Sequence, residues 1–261
     1  MSKKILSFSL LLLLSYIITI GQSQDNFVLH HQVTGLIKTN CYLLYDMESK
    51  EGALFDVGDS IDSLESIIKE EGIKLKYIFI THCHPDHVYG VPAVKKKYPE
   101  AKVCFSREEY ECAKIYSAWE SNFDSSIVAS IKKDPSFVEL FNFDHTLVGK
   151  ADIELTDNQI YQLGKLEIKT FLSPGHSPGS ICFYSEGILL SGDVLFYHTV
   201  GRTDLPKTGS KEDIVKSVRR LYSSLPDYTK VYPGHGQFTD IGSEKTENKK
   251  VTIDGGEWGD K

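Results

Sequence analysis

The stretch Thr81-His82-Cys83-His84-Pro85-Asp86-His87 places four metal-capable side chains, His82, His84, Asp86 and His87, within six residues. In an extended loop alternate side chains share a side, so His82 and His84 can meet one metal ion. Asp86 and His87 are neighbours whose side chains diverge, and they can serve a second ion close by. Imidazole nitrogens with one carboxylate suit zinc, or iron or manganese where oxygen ligands take a larger share. Three later segments repeat one design: Ser173-Pro174-Gly175-His176, Leu190-Ser191-Gly192-Asp193 and Tyr232-Pro233-Gly234-His235. In each a strand ends, glycine lets the backbone turn tightly, and a metal-capable residue projects. A histidine after Pro-Gly is by itself more often a turn residue than a ligand. All of these together in one chain with nine histidines reverse that judgement.

The elements that must position these residues are legible around them. Tyr77-Ile78-Phe79-Ile80 reads as a short buried strand, and Gly90-Val91-Pro92 opens a helix with proline in its first turn. The cluster therefore sits in a loop leaving a strand, a usual place for ligands in an α/β protein. Upstream, Phe27 to Val33, Asn40 to Tyr45 and Gly52 to Val57 read as successive strands, followed by a helix from Ser60 to Glu70. Downstream, strands are expected at residues 153–155, 159–163, 166–172, 180–184, 188–191 and 230–232, with a helix from Lys211 to Leu221. Gly164-Lys165 is a hairpin-like break. Residues 106–150 differ: their aromatic bias and mixed helical periodicity suggest a helical insertion, either a lid or an interface, or else an ordinary pair of core helices. From Ser243 onward the chain is polar and reads as a surface tail over 244–261.

Met1-Ser2-Lys3-Lys4, the apolar run from Ile5 to Ile20 and the small residues Gly21 and Ser23 form a leader pattern. A signal peptide over 1–23 and a secreted or periplasmic protein are expected, with an uncleaved membrane anchor as the lesser alternative. No later stretch is apolar enough to span a bilayer. The remainder, 24–243, suits one large domain. A formal net charge of −7 argues against a general nucleic-acid binder. Of five cysteines, Cys41 and Cys182 lie in strand-like runs as core residues, Cys83 points away from its histidine neighbours, and Cys104 and Cys112 are open to pairing.

The order His82-x-His84-x-Asp86-His87, then His176, Asp193 and His235, resembles the metallo-β-lactamase superfamily over roughly Phe27 to Ser243. Its segments 81–90, 174–180 and 191–196, Gly201-Arg202-Thr203-Asp204-Leu205-Pro206 and Pro233-Gly234-His235-Gly236 are most similar to the glyoxalase II-like hydrolases. The resemblance implies a four-layer αββα sandwich with two zinc ions at the strand ends. It implies that His82, His84 and His176 bind the first ion, that Asp86, His87 and His235 bind the second, and that Asp193 bridges both. Asp56 matches a position that supports a ligand histidine. The implied reaction is attack by a hydroxide between the ions, held by Asp86 and Asp193, on a thioester, ester, lactone or lactam carbonyl of a small-molecule substrate. Arg202 stands where the family has a substrate-binding lysine and could clamp a carboxylate, or form a structural salt bridge. Secreted β-lactamases and lactonases share the ligand set. Persulfide dioxygenases share the fold and a Gly-Arg-Thr-Asp segment but use one iron, held by residues like His82, His176 and Asp193. A non-catalytic metal- or partner-binding protein is a further alternative. Oligomeric state, natural substrate and native metal are left open.

Overall fold

The computed structural model describes residues 18–20, 26–205 and 207–253. A first sheet runs in chain order from β1 (Ile18–Ile20) and β2 (Phe27–Thr34) through β3 (Thr39–Asp46) and β4 (Glu51–Phe55). It continues with β5 (Lys74–Phe79), β6 (Lys102–Ser106) and β7 (Ile153–Leu155). Its first four strands pair antiparallel and the rest parallel, because α1 (Asp62–Glu70), α2 (Pro85–Val88) and α3 (Val91–Lys97) supply the crossovers to β5 and β6, and the helical segment 107–147 supplies the one to β7. The leader expected over 1–23 lies outside the described residues, apart from the backbone of Ile18–Ile20 at this sheet's edge.

The second sheet contains β8 (Ile160–Leu163), β9 (Leu166–Leu172), β10 (Ile181–Ser185), β11 (Ile188–Gly192) and, after a small β12 (Leu195–Phe196)–β13 (Thr199–Val200) ribbon, β14 (Lys230–Pro233) and β15 (Thr239–Asp240). Its order is β15-β14-β11-β10-β9-β8, and only β11 and β14 run parallel. The long helix between β13 and β14, Lys211–Ser224, begins at an N-cap, where Ser210 accepts from Asp213 N at 3.2 Å.

Side-chain alternation along the strands builds four layers. On β3, Leu43 faces the helices of the first sheet, while Tyr42 and Leu44 face the second sheet. On β10, Phe183 faces inward and Cys182 faces the Lys211–Ser224 helix. Phe79, at the centre of the inter-sheet core, stacks on Phe55 (5.2 Å) and Tyr77 (5.0 Å), meets Tyr161 edge-on (5.4 Å) and lies tilted against Phe183 (4.9 Å). The architecture is the αββα sandwich, a mixed α/β fold.

Residues 107–147 form the helical insertion: α4 (Arg107–Ser117), α5 (Trp119–Asn122), α6 (Ser125–Ile131), α7 (Pro135–Phe141) and a 3-10 turn at His145–Leu147. Cys112, Tyr116, Trp119, Phe123 and Ile131 give it a small core of its own. The Lys211–Ser224 helix is α8, and a last helix, α9 (Ile241–Glu247), corrects the expectation of a tail from Ser243. Glu244 and Val251 are fully buried, and Tyr222 donates its hydroxyl to the Glu244 carbonyl at 3.0 Å. Polar composition concealed this because Glu244 takes bonds from the His198 backbone N–H, the Thr239 hydroxyl and the Asn248 amide. All five cysteines are buried and unpaired, Cys104 and Cys112 included. No helix among the described residues is long and apolar enough to cross a membrane.

Candidate metal centre

Every metal-capable residue named above arrives at one end of the two sheets. His82 and His84 follow β5, and Asp86 and His87 lie on α2. His176 follows β9, Asp193 follows β11 and His235 follows β14. The first four thus come from the first sheet and the last three from the second. The sheets are joined there by a bridge between Thr39 and His235 and by the Asn40 N–H donating to the Gly234 carbonyl at 2.7 Å.

Two donor sets result. His176 Nε2 lies 3.2 Å from His82 Nε2 and 3.0 Å from His84 Nδ1. His87 Nε2 lies 3.2 Å from His235 Nε2, and Asp86 Oδ2 is 3.4 Å from the first and 3.2 Å from the second. Asp193 stands between them, 3.5 Å from His176 Nε2, 3.5 Å from His87 Nε2 and 3.6 Å from His235 Nε2. A tetrahedral ion with ligands at about 2.0–2.1 Å places adjacent donors roughly 3.3–3.4 Å apart, so both sets match such an ion. Asp193 Oδ1 is also buried without a hydrogen-bond partner, which a cation would remedy.

The far nitrogen of each imidazole is engaged, leaving the near one for a metal. Asp56 accepts from His87 Nδ1 at 3.0 Å. It also accepts the Thr81 hydroxyl and backbone N–H, both at 2.8 Å, and that hydroxyl meets His82 Nδ1 at 2.9 Å. One carboxylate therefore orients two histidines, from a backbone held at φ +52° just after β4. His176 Nδ1 donates to the Arg202 carbonyl at 2.9 Å, and His235 Nδ1 to the Lys38 carbonyl at 3.3 Å. His84 Nε2 meets the Tyr116 hydroxyl at 2.7 Å.

The expected divergence of Asp86 and His87 does not occur, because Pro85 starts a helical turn and both side chains converge on one point. Gly234 is explained by close approach: a side-chain carbon there would overlap the Asp193 carboxylate. The Arg202 guanidinium is bidentate to Asp204, at 2.7 and 3.0 Å, so its contribution to the centre is its carbonyl. Sequence reading missed Thr81, Tyr116 and Glu109. A hydroxyl before a histidine and an aromatic or acid 25 or more residues away carry no local signal; only the last two falling on one helical face of the insertion hinted at burial.

Burial drives the pKa values of His82, His84 and His176 down, which keeps them neutral. Burial also pulls His87 down, but Asp86, Asp193 and Asp56 prevail and raise it to about 10. Without a metal, His87 carries a proton through neutral pH. That proton stabilises the metal-free fold fully below the unfolded value near 6.5, and the contribution is lost as pH rises through about 10. Filling the second donor set at pH 7 therefore releases a proton. Titration calorimetry in two buffers of different ionisation heat should show this release, and the release should vanish above pH 10. Equal heats at pH 7 would contradict it.

The metallo-beta-lactamase superfamily model matches residues 34–235, and the chain belongs to that superfamily of enzymes. A probable metallo-hydrolase of Streptococcus pyogenes is 33% identical, covering 75% of this chain and 78% of that protein. Hydroxyacylglutathione hydrolase GloC of Haemophilus influenzae is 30% identical over 80% of this chain and 91% of its own length. A mitochondrial persulfide dioxygenase of Bos taurus is 27% identical over 82% and 72%. Among solved structures, the B3 metallo-beta-lactamase BLEG-1 superposes with a TM-score of 0.66 at 32% identity, covering 84% of this chain and 97% of that one. A protein crystallised in a di-iron-bound form gives 0.61 at 26% identity, covering 83% and 96%.

Proposed function

We propose that this chain is a glyoxalase II-like, dinuclear metal-dependent hydrolase acting on a thioester, ester, lactone or lactam carbonyl of a small molecule, with two zinc ions. The observation that carries this is the second donor set: Asp86, His87 and His235 converge beside Asp193 as closely as the first set does. When bound, the ions supply Lewis acidity and lower the pKa of water towards neutrality. The residues do the rest. His82, His84 and His176 hold the first position, and Asp86, His87 and His235 hold the second. Asp193 serves both, and Asp86 and Asp193 orient the attacking water by accepting its protons in hydrogen bonds. Thr39 fixes Asp86 by donating to Oδ2 at 3.0 Å.

A cavity of about 330 Å³ opens beside Asp86, lined by Leu36, Asp59, Tyr89, Glu139 and Leu140 among others, with no lysine or arginine. That lining supports a substrate without the carboxylates of glutathione on this side. The second reading, a mononuclear-iron persulfide dioxygenase, draws on Gly201-Arg202-Thr203-Asp204 and on the Bos taurus relative. Metal analysis of protein purified without chelator separates them, with nitrocefin and S-lactoylglutathione hydrolysis and persulfide-dependent oxygen uptake measured on the same sample. About two zinc ions with hydrolysis supports the hydrolase. One iron with oxygen uptake and no hydrolysis sinks it.

A further inference from the structure

Apart from Asp56, which reaches His87 directly and His82 through Thr81, the two donor sets are held by different parts of the chain. Glu109, on α4 of the insertion, is fully buried. Its Oε2 accepts the N–H of Cys83, between His82 and His84, at 2.8 Å. Its Oε1 accepts the N–H of Gly179, three residues beyond His176, at 2.8 Å. One carboxylate thus joins the two loops that supply the first donor set. Two turns further along the same helical face, Tyr116 reaches His84. From the end of the insertion, His145 Nε2 donates to the Cys83 carbonyl at 3.2 Å. None of these bonds touches Asp86, His87 or His235. That set is held from the β2–β3 hairpin. Thr39 bonds Asp86, Asn40 donates to the carbonyls of Pro233 (2.9 Å) and Gly236 (3.2 Å), and Tyr42 donates to that of Pro233 (2.6 Å).

We propose that Glu109 is a positioning residue for the first metal position alone, holding the His82–His84 loop and the His176 loop at the separation one ion requires. The inference rests on the two-ion reading above. It also limits what the insertion can do. The start of α4 is part of the metal scaffold and cannot swing as a lid; any opening motion belongs to α5, α6 and α7.

Single-position backgrounds test this. His235→Ala leaves the first set complete, and His84→Ala leaves the second. Cobalt(II) affinity of each is measured by competition with a chromophoric chelator, with and without Glu109→Gln. The glutamine amide can accept from only one of the two N–H groups and turns its own NH2 toward the other. Loss of an outer partner bonded directly to a ligand costs about 10- to 100-fold in metal affinity, and Glu109, which acts through the Cys83 and Gly179 N–H groups beside the ligands, is expected at the lower end, about tenfold. The expected result is that loss in the His235→Ala background and less than about twofold change in the His84→Ala background. Thr39→Val should show the reverse. A general loosening of the fold would weaken both equally, and that outcome, or no loss in either background, overturns the proposal. If Glu109→Gln does not fold, Glu109→Asp, whose shorter side chain cannot reach both N–H groups, carries the same comparison, with about a tenfold loss expected at the first position. If the unmutated protein binds one ion only, the two-ion reading fails; the Glu109 comparison on that single ion still supports or overturns the positioning role.

Discussion

Replacing Asp193 with alanine lowers hydrolysis at least about a thousandfold, equivalent to roughly 4 kcal/mol of transition-state stabilisation, and strips metal from both positions. Its carboxylate lies within 3.6 Å of nitrogens from both donor sets. Without it each position keeps three protein donors, and the protonated His87 loses one of the three carboxylates that face it. The fold should survive, because Asp193 Oδ1 makes no hydrogen bond and β11 ends before it. Metal analysis, turnover and circular dichroism on Asp193→Ala and on the isosteric Asp193→Asn check this. Two bound ions and undiminished turnover in either variant would refute the shared role.

The second large effect is on stability. Phe79→Ala removes the ring at the centre of the inter-sheet core, where four aromatic side chains contact it. Truncating a buried phenylalanine costs about 3–5 kcal/mol, from lost transfer energy and from the cavity left behind. The position is unforgiving because Phe55 and Phe79 end β4 and β5, and Asp56, Thr81 and His82 follow directly. Urea unfolding should show a midpoint shift of that size with an unchanged slope, and metal affinity should fall with it. A loss below about 1 kcal/mol would mean that the surrounding rings collapse into the space.

The strands and the clustering of the candidate ligands are legible for one physical reason: both are encoded locally. Alternating or continuous apolar runs mark β3, β9 and β10; His82 and His84 follow β5 within a few residues, and His176, Asp193 and His235 follow their strands through glycine-bearing turns, so a short window contains the signal. Convergence of His82, His84, Asp86, His87, His176, Asp193 and His235 followed from recognising their order. What stayed hidden depends on long-range pairing. Glu109 is an exposed-looking acid on a helix until its two N–H donors, 26 and 70 positions away, are brought to it. The buried role of Glu244 is hidden in part because the His198 N–H it accepts from lies 46 positions away. Arg202 stays open in the sequence between clamping a carboxylate and forming a structural salt bridge, because the sequence does not show that Asp204, two residues on, folds back onto it.

Each donor set draws on both sheets: His82 and His84 with His176, and Asp86 and His87 with His235. A bound ion is therefore a rivet between two half-sandwiches that otherwise meet through apolar contact and scattered hydrogen bonds, those of Asn40 and Tyr42 among them. An ion at a thousandfold excess over its dissociation constant adds about 4 kcal/mol to the folded state, comparable to the whole net stability of a marginal domain. Metal supply thus governs how long the folded chain persists as well as how fast it turns over. The metal-free chain should accordingly be cut faster than the metal-loaded one in limited proteolysis.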